Sequence, residues 1–145
     1  MSSNPPVEAA AAAERKDERP VLQFSVMCDA LATPKELGNK PVFIGVFANL
    51  LRPTVVPQFF FANRWVNGTG THSQVIRLLD PTLKELMSTA PQEFVLQTKV
   101  NSADVYAALV NINFASAGVY WVRIELDGKL ALAYPLPVLE GPKSS

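Results

Sequence analysis

The chain has one cysteine and one histidine, Cys28 and His72, so any thiol–imidazole chemistry would have to come from that single pair. A thiol becomes a nucleophile when an adjacent base removes its proton and a third group orients the base. Cys28 falls in a run where Leu22, Phe24, Val26, Cys28 and Ala30 share one face. On such a face a thiol is a small core residue with a raised pKa. His72 opens a strand just after the turn Asn67-Gly68-Thr69-Gly70-Thr71, and no third member accompanies the pair. An enzyme using Cys28 and His72 is therefore the last of three readings, and no catalytic residue is assigned.

Metal and phosphate chemistry fare no better. A tetrahedral zinc site needs three or four His, Cys or carboxylate ligands, which one histidine and one cysteine do not supply. Asp29, Asp80, Asp104 and Asp127 are candidate calcium ligands, but none belongs to an Asp-x-Asp cluster. The Gly68–Gly70 segment lacks the Lys-Ser/Thr ending of a phosphate loop and opens no helix, so it reads as a hairpin connection. No cofactor and no metal are expected.

The remaining candidates are aromatic and cationic. Phe59, Phe60 and Phe61, followed by Arg64 and Trp65, form the densest aromatic stretch. Strand neighbours alternate faces, so Phe59, Phe61 and Trp65 lie on one side and Phe60, Ala62 and Val66 on the other. Such a strand is either covered on both faces or presents an aromatic patch. Trp121 stands on the polar side of its strand with Arg123. It is either an exposed anchor for a partner or a ring lying over the stems of neighbouring Arg and Lys side chains. Phe59, Phe61, Arg64, Trp65, Trp121 and Arg123 are the candidate interaction surface.

These residues need a scaffold. At 145 residues the chain has the size of one domain. The hydrophobic fraction of 48% against 18% charged residues is that of a chain able to fold by itself. Thirteen basic residues balance thirteen acidic ones, which removes the long-range field that gathers phosphates and makes nucleic acid an unexpected partner. A single cysteine forms no intrachain disulfide, and a reducing, cytoplasmic setting is the simplest expectation. The alanine run Ala9–Ala13 has no basic lead and no apolar core, so it is not read as a signal peptide. Val42–Leu51, the longest apolar stretch, falls far short of the ~20 residues that span a bilayer, and no membrane association is expected.

Turn residues recur at Pro34–Lys40, Arg52–Pro57, Asn67–Thr71, Asp80-Pro81, Pro91, Asn101–Ala103, Ala115–Gly118 and Asp127-Gly128. Between them lie runs rich in Val, Ile, Phe, Tyr and Thr with alternating polarity, the pattern of a sandwich or barrel. The expected strands are Val21–Leu31, Pro41–Ala48, Gln58–Val66, His72–Leu79, Glu93–Val100, Asp104–Phe114, Val119–Leu126 and Lys129–Val138. Asp127-Gly128 accepts positive φ at both positions and predicts a tight terminal hairpin. Pro135 and Pro137 put their missing donors on one side of the last strand, which places it at a sheet edge. At most one short helix is expected, over residues 81–88, with Pro81 in its first turn. Residues 1–20 read as a disordered leader, 21–139 as the domain and 140–145 as a flexible tail.

Val26-Met27-Cys28-Asp29-Ala30, Gly45-Val46-Phe47, Leu79-Asp80-Pro81, Gly118-Val119-Tyr120, Asp127-Gly128 and Pro135-Leu136-Pro137-Val138 together resemble a family of small, uncharacterised bacterial proteins. The resemblance covers about Val21 to Val138. It implies an immunoglobulin-like, antiparallel β-sandwich of about 7–9 strands and carries no known activity or binding residue. Gly118-x-Tyr120 is similar to the start of the penultimate strand in such sandwiches, where a tyrosine bonds back at a corner.

The expected function is a non-enzymatic binding or assembly module acting through an edge strand or exposed aromatics, on an unknown protein partner or on a second copy. The alternative is a small-ligand or carbohydrate module in which the aromatics stack on a ring and Arg64, Asn63 or Asn113 donates hydrogen bonds.

Overall fold

The computed structural model describes residues 18–51 and 54–141. Ten strands make up nearly all of it: β1 (Val21–Ala32), β2 (Val42–Phe47), β3 (Leu50–Leu51), β4 (Thr54–Val66), β5 (Gly70–Leu79), β6 (Glu85–Ser88), β7 (Gln92–Leu96), β8 (Ser102–Phe114), β9 (Gly118–Leu126) and β10 (Lys129–Leu139). One sheet has the order β2-β1-β4-β8. The other has the order β3-β10-β9-β5-β6, with β7 also on β5. All pairings are antiparallel except the short parallel match of β3 to the end of β10, Leu50 with Val138 and Leu51 with Leu139. The all-β sandwich expected from the turn spacing is the observed fold, with β3 and β6 added to the eight expected strands.

The inward faces follow the alternation. Phe59, Phe61 and Trp65 of β4 meet Ile76 and Leu78 of β5 and Tyr120, Val122, Ile124 and Leu126 of β9 in one continuous core. Burying side chains of this size is worth about 1.5–3 kcal/mol each, and this central cluster holds the two sheets together. At one corner the Tyr120 hydroxyl donates to the Ser116 carbonyl at 2.9 Å, the return bond expected of an immunoglobulin-like sandwich. The terminal hairpin turns on Asp127 and Gly128, with φ of 51° and 80°, as the dipeptide predicts.

Several expectations are corrected. Residues 81–88 are not helical. The Asp80 carboxylate accepts from the Thr82 and Lys84 amides at 2.8 and 3.0 Å, and Leu83 turns into the left-handed region with φ 69°. The chain then runs as β6 along β5, with Met87 opposite Leu78, so pairing to an available strand overrides local helix preference.

Cys28 is buried, as expected, but on the outer side of its sheet and not in the core between the sheets. The register shifts between Leu22 and Phe24, so Leu22 pairs with Trp65 while Phe24 pairs with Arg64. One extra residue reverses the phase. Met27, opposite Phe61, therefore points inward, while Phe24, Val26 and Cys28 lie on the outer face. In β8 the left-handed Asn111, φ 54°, has the same effect. Val105, Ala107 and Leu109 are buried before it and Phe114 after it, whereas Val110 is exposed.

Met1–Asp17 lie outside the described residues, as do Arg52, Pro53 and Pro142–Ser145. Glu18–Pro20, placed in the leader by sequence, pack on the sandwich. The Glu18 carbonyl accepts from the Thr69 amide at 3.0 Å, the Arg19 guanidinium donates to the Leu126 carbonyl at 3.2 Å, and Lys99 meets Glu18 at 2.7 Å.

Candidate binding groove between two strand edges

The six residues expected to form one interaction surface occupy three places. Phe59, Phe61 and Trp65 are 0% exposed and belong to the core, which corrects the reading of that strand as an aromatic platform. Alternation assigns side chains to two faces; the second sheet covers the inner face of a central strand such as β4, and that is the face carrying these three rings. Arg64 lies on the outer face of its sheet, clamped to Asp104 by two hydrogen bonds of 2.6 and 3.0 Å, with its guanidinium 5.0 Å from the Phe24 ring centre. Trp121 and Arg123 lie on the outer face of the opposite sheet. Trp121 is half-buried between its cross-strand neighbours Leu79 and Pro135. Arg123 stands opposite Arg77, which is held by Glu125 at 3.0 Å and Glu85 at 2.9 Å.

Cys28 and His72 do not meet. Cys28 faces away from the core on the β1 sheet, whereas His72 is buried on the inner face of the other. Burial and the nearby Asp29 charge push the Cys28 thiol above its ordinary range, against opposing hydrogen bonds from the Ala30 and Ile44 backbone. His72 ties turns together: Nδ1 lies 2.7 Å from Asp127 Oδ2, and Nε2 donates to the Thr69 carbonyl at 2.7 Å. Burial works to raise the Asp127 pKa, but the bonds from His72 and the Ser73 amide outweigh it and hold the carboxyl below its usual range.

A groove runs along the flank where β1 and β10 stack. Val21–Val26 of β1 pairs with β4 on one side and with nothing described on the other, because β2 joins β1 from Met27 onward. β10 pairs with β9 along its length and meets β3 only at Val138 and Leu139. Two strand edges therefore face the same opening. A pocket of about 310 Å3 lies at one end, with Leu22, Trp65, Leu130 and Leu132 in its wall. A second, of about 260 Å3, lies at the other, between Val26, Phe47, Tyr134 and Pro135. Between them the Ser25 and Tyr134 hydroxyls meet at 3.0 Å. Burial pushes the Tyr134 hydroxyl up to about 12, with Ser25 pulling the other way. Tyr134 is therefore a neutral phenol across the physiological range.

The side chains of the walls are apolar apart from Arg19 at one mouth and the central hydroxyl pair, while backbone groups add polar surface at the Arg19 end. Val21 and Leu130 are exposed beside the groove. The sequence signalled half of this site: Pro135 and Pro137 predicted an edge, and β10 is open up to Val138, where the short β3 pairs with it and takes the edge. Nothing local marked Val21–Val26 as the facing edge, since that depends on how the sheets stack. Also unmarked was a buried amide relay on the opposite flank, where Gln74 Oε1 accepts from Trp65 Nε1 and Asn63 Nδ2 at 2.8 and 2.9 Å. Gln74 sharing a phase with Ile76 and Leu78 was the available clue. Among the described residues no group of three or more His, Cys, Asp or Glu is placed to hold a metal, and no helix is long and apolar enough to cross a membrane.

The two packed sheets, the tyrosine corner and the absence of any α-helix among the described residues define an immunoglobulin-like β-sandwich. Over residues 23–139 the chain matches the Family of unknown function (DUF6941), and it belongs to that family. No curated protein matches it. Among solved structures it is similar to an immunoglobulin-like protein from Pseudomonas aeruginosa, at 9% identity, covering 83% of this chain and 96% of that one with a TM-score of 0.39.

Proposed function

We propose that this domain is a non-enzymatic binding module that takes an extended polypeptide segment along the β1–β10 flank. The observation that carries the reading is the pair of facing strand edges with apolar pockets at either end of their opening. An unpaired edge offers a row of backbone N–H and C=O groups to an added strand, and flanking pockets accept its alternate side chains. An alkyl ligand in the same place would cover those backbone groups without giving them partners, at a cost comparable to a lost hydrogen bond for each. Pro135 and Pro137 have no N–H to give, so an added strand bonds to the first half of β10, over Lys129–Ala133.

The carbohydrate reading has less support. With Phe59, Phe61 and Trp65 in the core, Trp121 is the tryptophan left to stack on a ring, and it is half-buried between neighbours.

The test is a display screen of extended peptides on the immobilised domain, repeated with Leu132→Lys. Bound peptides are expected to carry alternating apolar residues and to be lost on Leu132→Lys while the melting temperature holds. Peptides retained by Leu132→Lys but lost on Trp121→Ala would reject the groove. A solution mass that rises with concentration would identify a second copy as the partner.

A further inference from the structure

The β1–β2 hairpin is sharply folded. Leu31 pairs with Phe43 and lies seven positions beyond Phe24. An extended strand of that length spans about 23 Å, yet the Phe24 and Phe43 rings lie 5.8 Å apart, edge to face. The hairpin must therefore double back over the outer face of its own sheet, the face that carries Phe24, Val26 and Cys28. The fold falls where the β1–β2 ladder is interrupted, between the Cys28–Val46 and Ala30–Ile44 pairs. Gly45 there is left-handed, φ 70°, and a Cβ on it would strike the Asp29 carboxylate. Cys28 sits inside the bend, 0% exposed, and the Ala30 and Ile44 amides bond to it.

The anchoring beyond that bend is thin. Among the described residues β2 pairs with β1 and with no other strand. None of its residues is fully buried, and Ile44 and Val46 are more than half exposed. Phe47 enters the core beside Phe59, at 5.6 Å, but it lies on the root side of the bend. On the far side the described aromatic contact is Phe43 on Phe24, whose ring is also faced by the Arg64 guanidinium.

We propose that the hairpin from Asp29 to Gly45 is a flap that opens about the Asp29–Gly45 bend while the sandwich stays folded. Phe43 on Phe24 is its latch. Opening bares an apolar strip of Phe24, Cys28 and Phe60 on the outer face of the sheet, bordered by Val26 at the edge of the β1–β10 groove. Segments with few buried contacts open at lower cost than the whole domain, which gives such a flap a physical basis.

Cys28 is the chain's one cysteine, so a thiol reagent on the full chain reads this bend alone. Labelling is measured across low urea concentrations beside the global unfolding curve. The expected result is labelling faster than global unfolding allows and nearly independent of urea. Phe43→Ala is expected to speed it roughly tenfold, from loss of an edge-to-face pair and its burial, with little change in the unfolding midpoint. Gly45→Ala, which strains the closed bend without touching the latch, is expected to speed labelling as well. Labelling that follows global unfolding in its urea dependence would overturn the proposal. So would a Phe43→Ala effect no larger than that variant's loss of global stability, or slower labelling in Gly45→Ala.

Discussion

On the flank formed by β7 and β8, amide side chains run from Asn63 and Trp65 through Gln74 to Gln92, whose Nε2 donates to the Tyr106 carbonyl at 2.6 Å. On the flank formed by β1 and β10, the sheets meet through the Ser25 and Tyr134 hydroxyls, with an apolar pocket on each side. Both flanks face the same problem, because a sandwich ends in strands whose outer backbone groups lack partners. The first flank answers it from within: Gln92 reaches a carbonyl of β8, and Phe94 stacks on Trp65 at 5.8 Å. The second leaves two edges open and lines the gap with apolar side chains. The difference teaches where this domain has room for a partner, and it separates residues that hold the fold from residues free to bind.

The sealed flank is where substitution should cost most. Gln74→Leu removes the acceptor shared by Trp65 Nε1 and Asn63 Nδ2. Each buried donor left without a partner costs about 1–3 kcal/mol, so urea unfolding should show a loss of roughly 3 kcal/mol. A loss below about 1 kcal/mol would mean that the relay does not hold this flank. Tyr134→Phe on the open flank removes one ordinary hydrogen bond and should cost only about 1 kcal/mol, with the groove still able to bind. Leu132→Lys, at a partly exposed position on the rim, should stay within about 0.5 kcal/mol of the parent.

Two titrations sharpen the same contrast. Because the folded Asp127 carboxyl is held below its ordinary value, its stabilising contribution is complete above the unfolded-state pKa. That contribution is lost as pH falls through the folded value, so Asp127→Asn should flatten the acid limb of the stability curve. Tyr134 gives the opposite limb. Its folded value of about 12 lies above the ordinary phenol value of 10.0, so its contribution is present below pH 10 and drains away as pH rises towards 12. Tyrosinate absorbance should show one late-titrating phenol that disappears in Tyr134→Phe.

Much of the scaffold was legible in the residues because its signals are local. Asp127-Gly128 specifies its turn by backbone conformation, Tyr120 specifies its corner through a partner four residues away, and Pro135 and Pro137 mark an edge by what they lack. Strand phase was less secure. The bulge between Leu22 and Phe24 turns Cys28 outward, and the left-handed Asn111 reverses β8, and neither position has a glycine to announce it. The candidate site was least legible. Alternation placed Phe59, Phe61 and Trp65 on one face but could not say that a second sheet covers it. The groove exists because β1 and β10, remote in sequence, stack at the same flank.

The most direct test of the open flank is amide hydrogen exchange along β1 and β10, with and without a peptide selected on the domain. The account predicts that unpaired amides of Val21–Val26 and Lys129–Ala133 exchange quickly in the free protein and become protected when the peptide binds, while those of β8 do not change. Protection of these amides before any peptide is added, or peptide-induced protection along β8 instead, would contradict it.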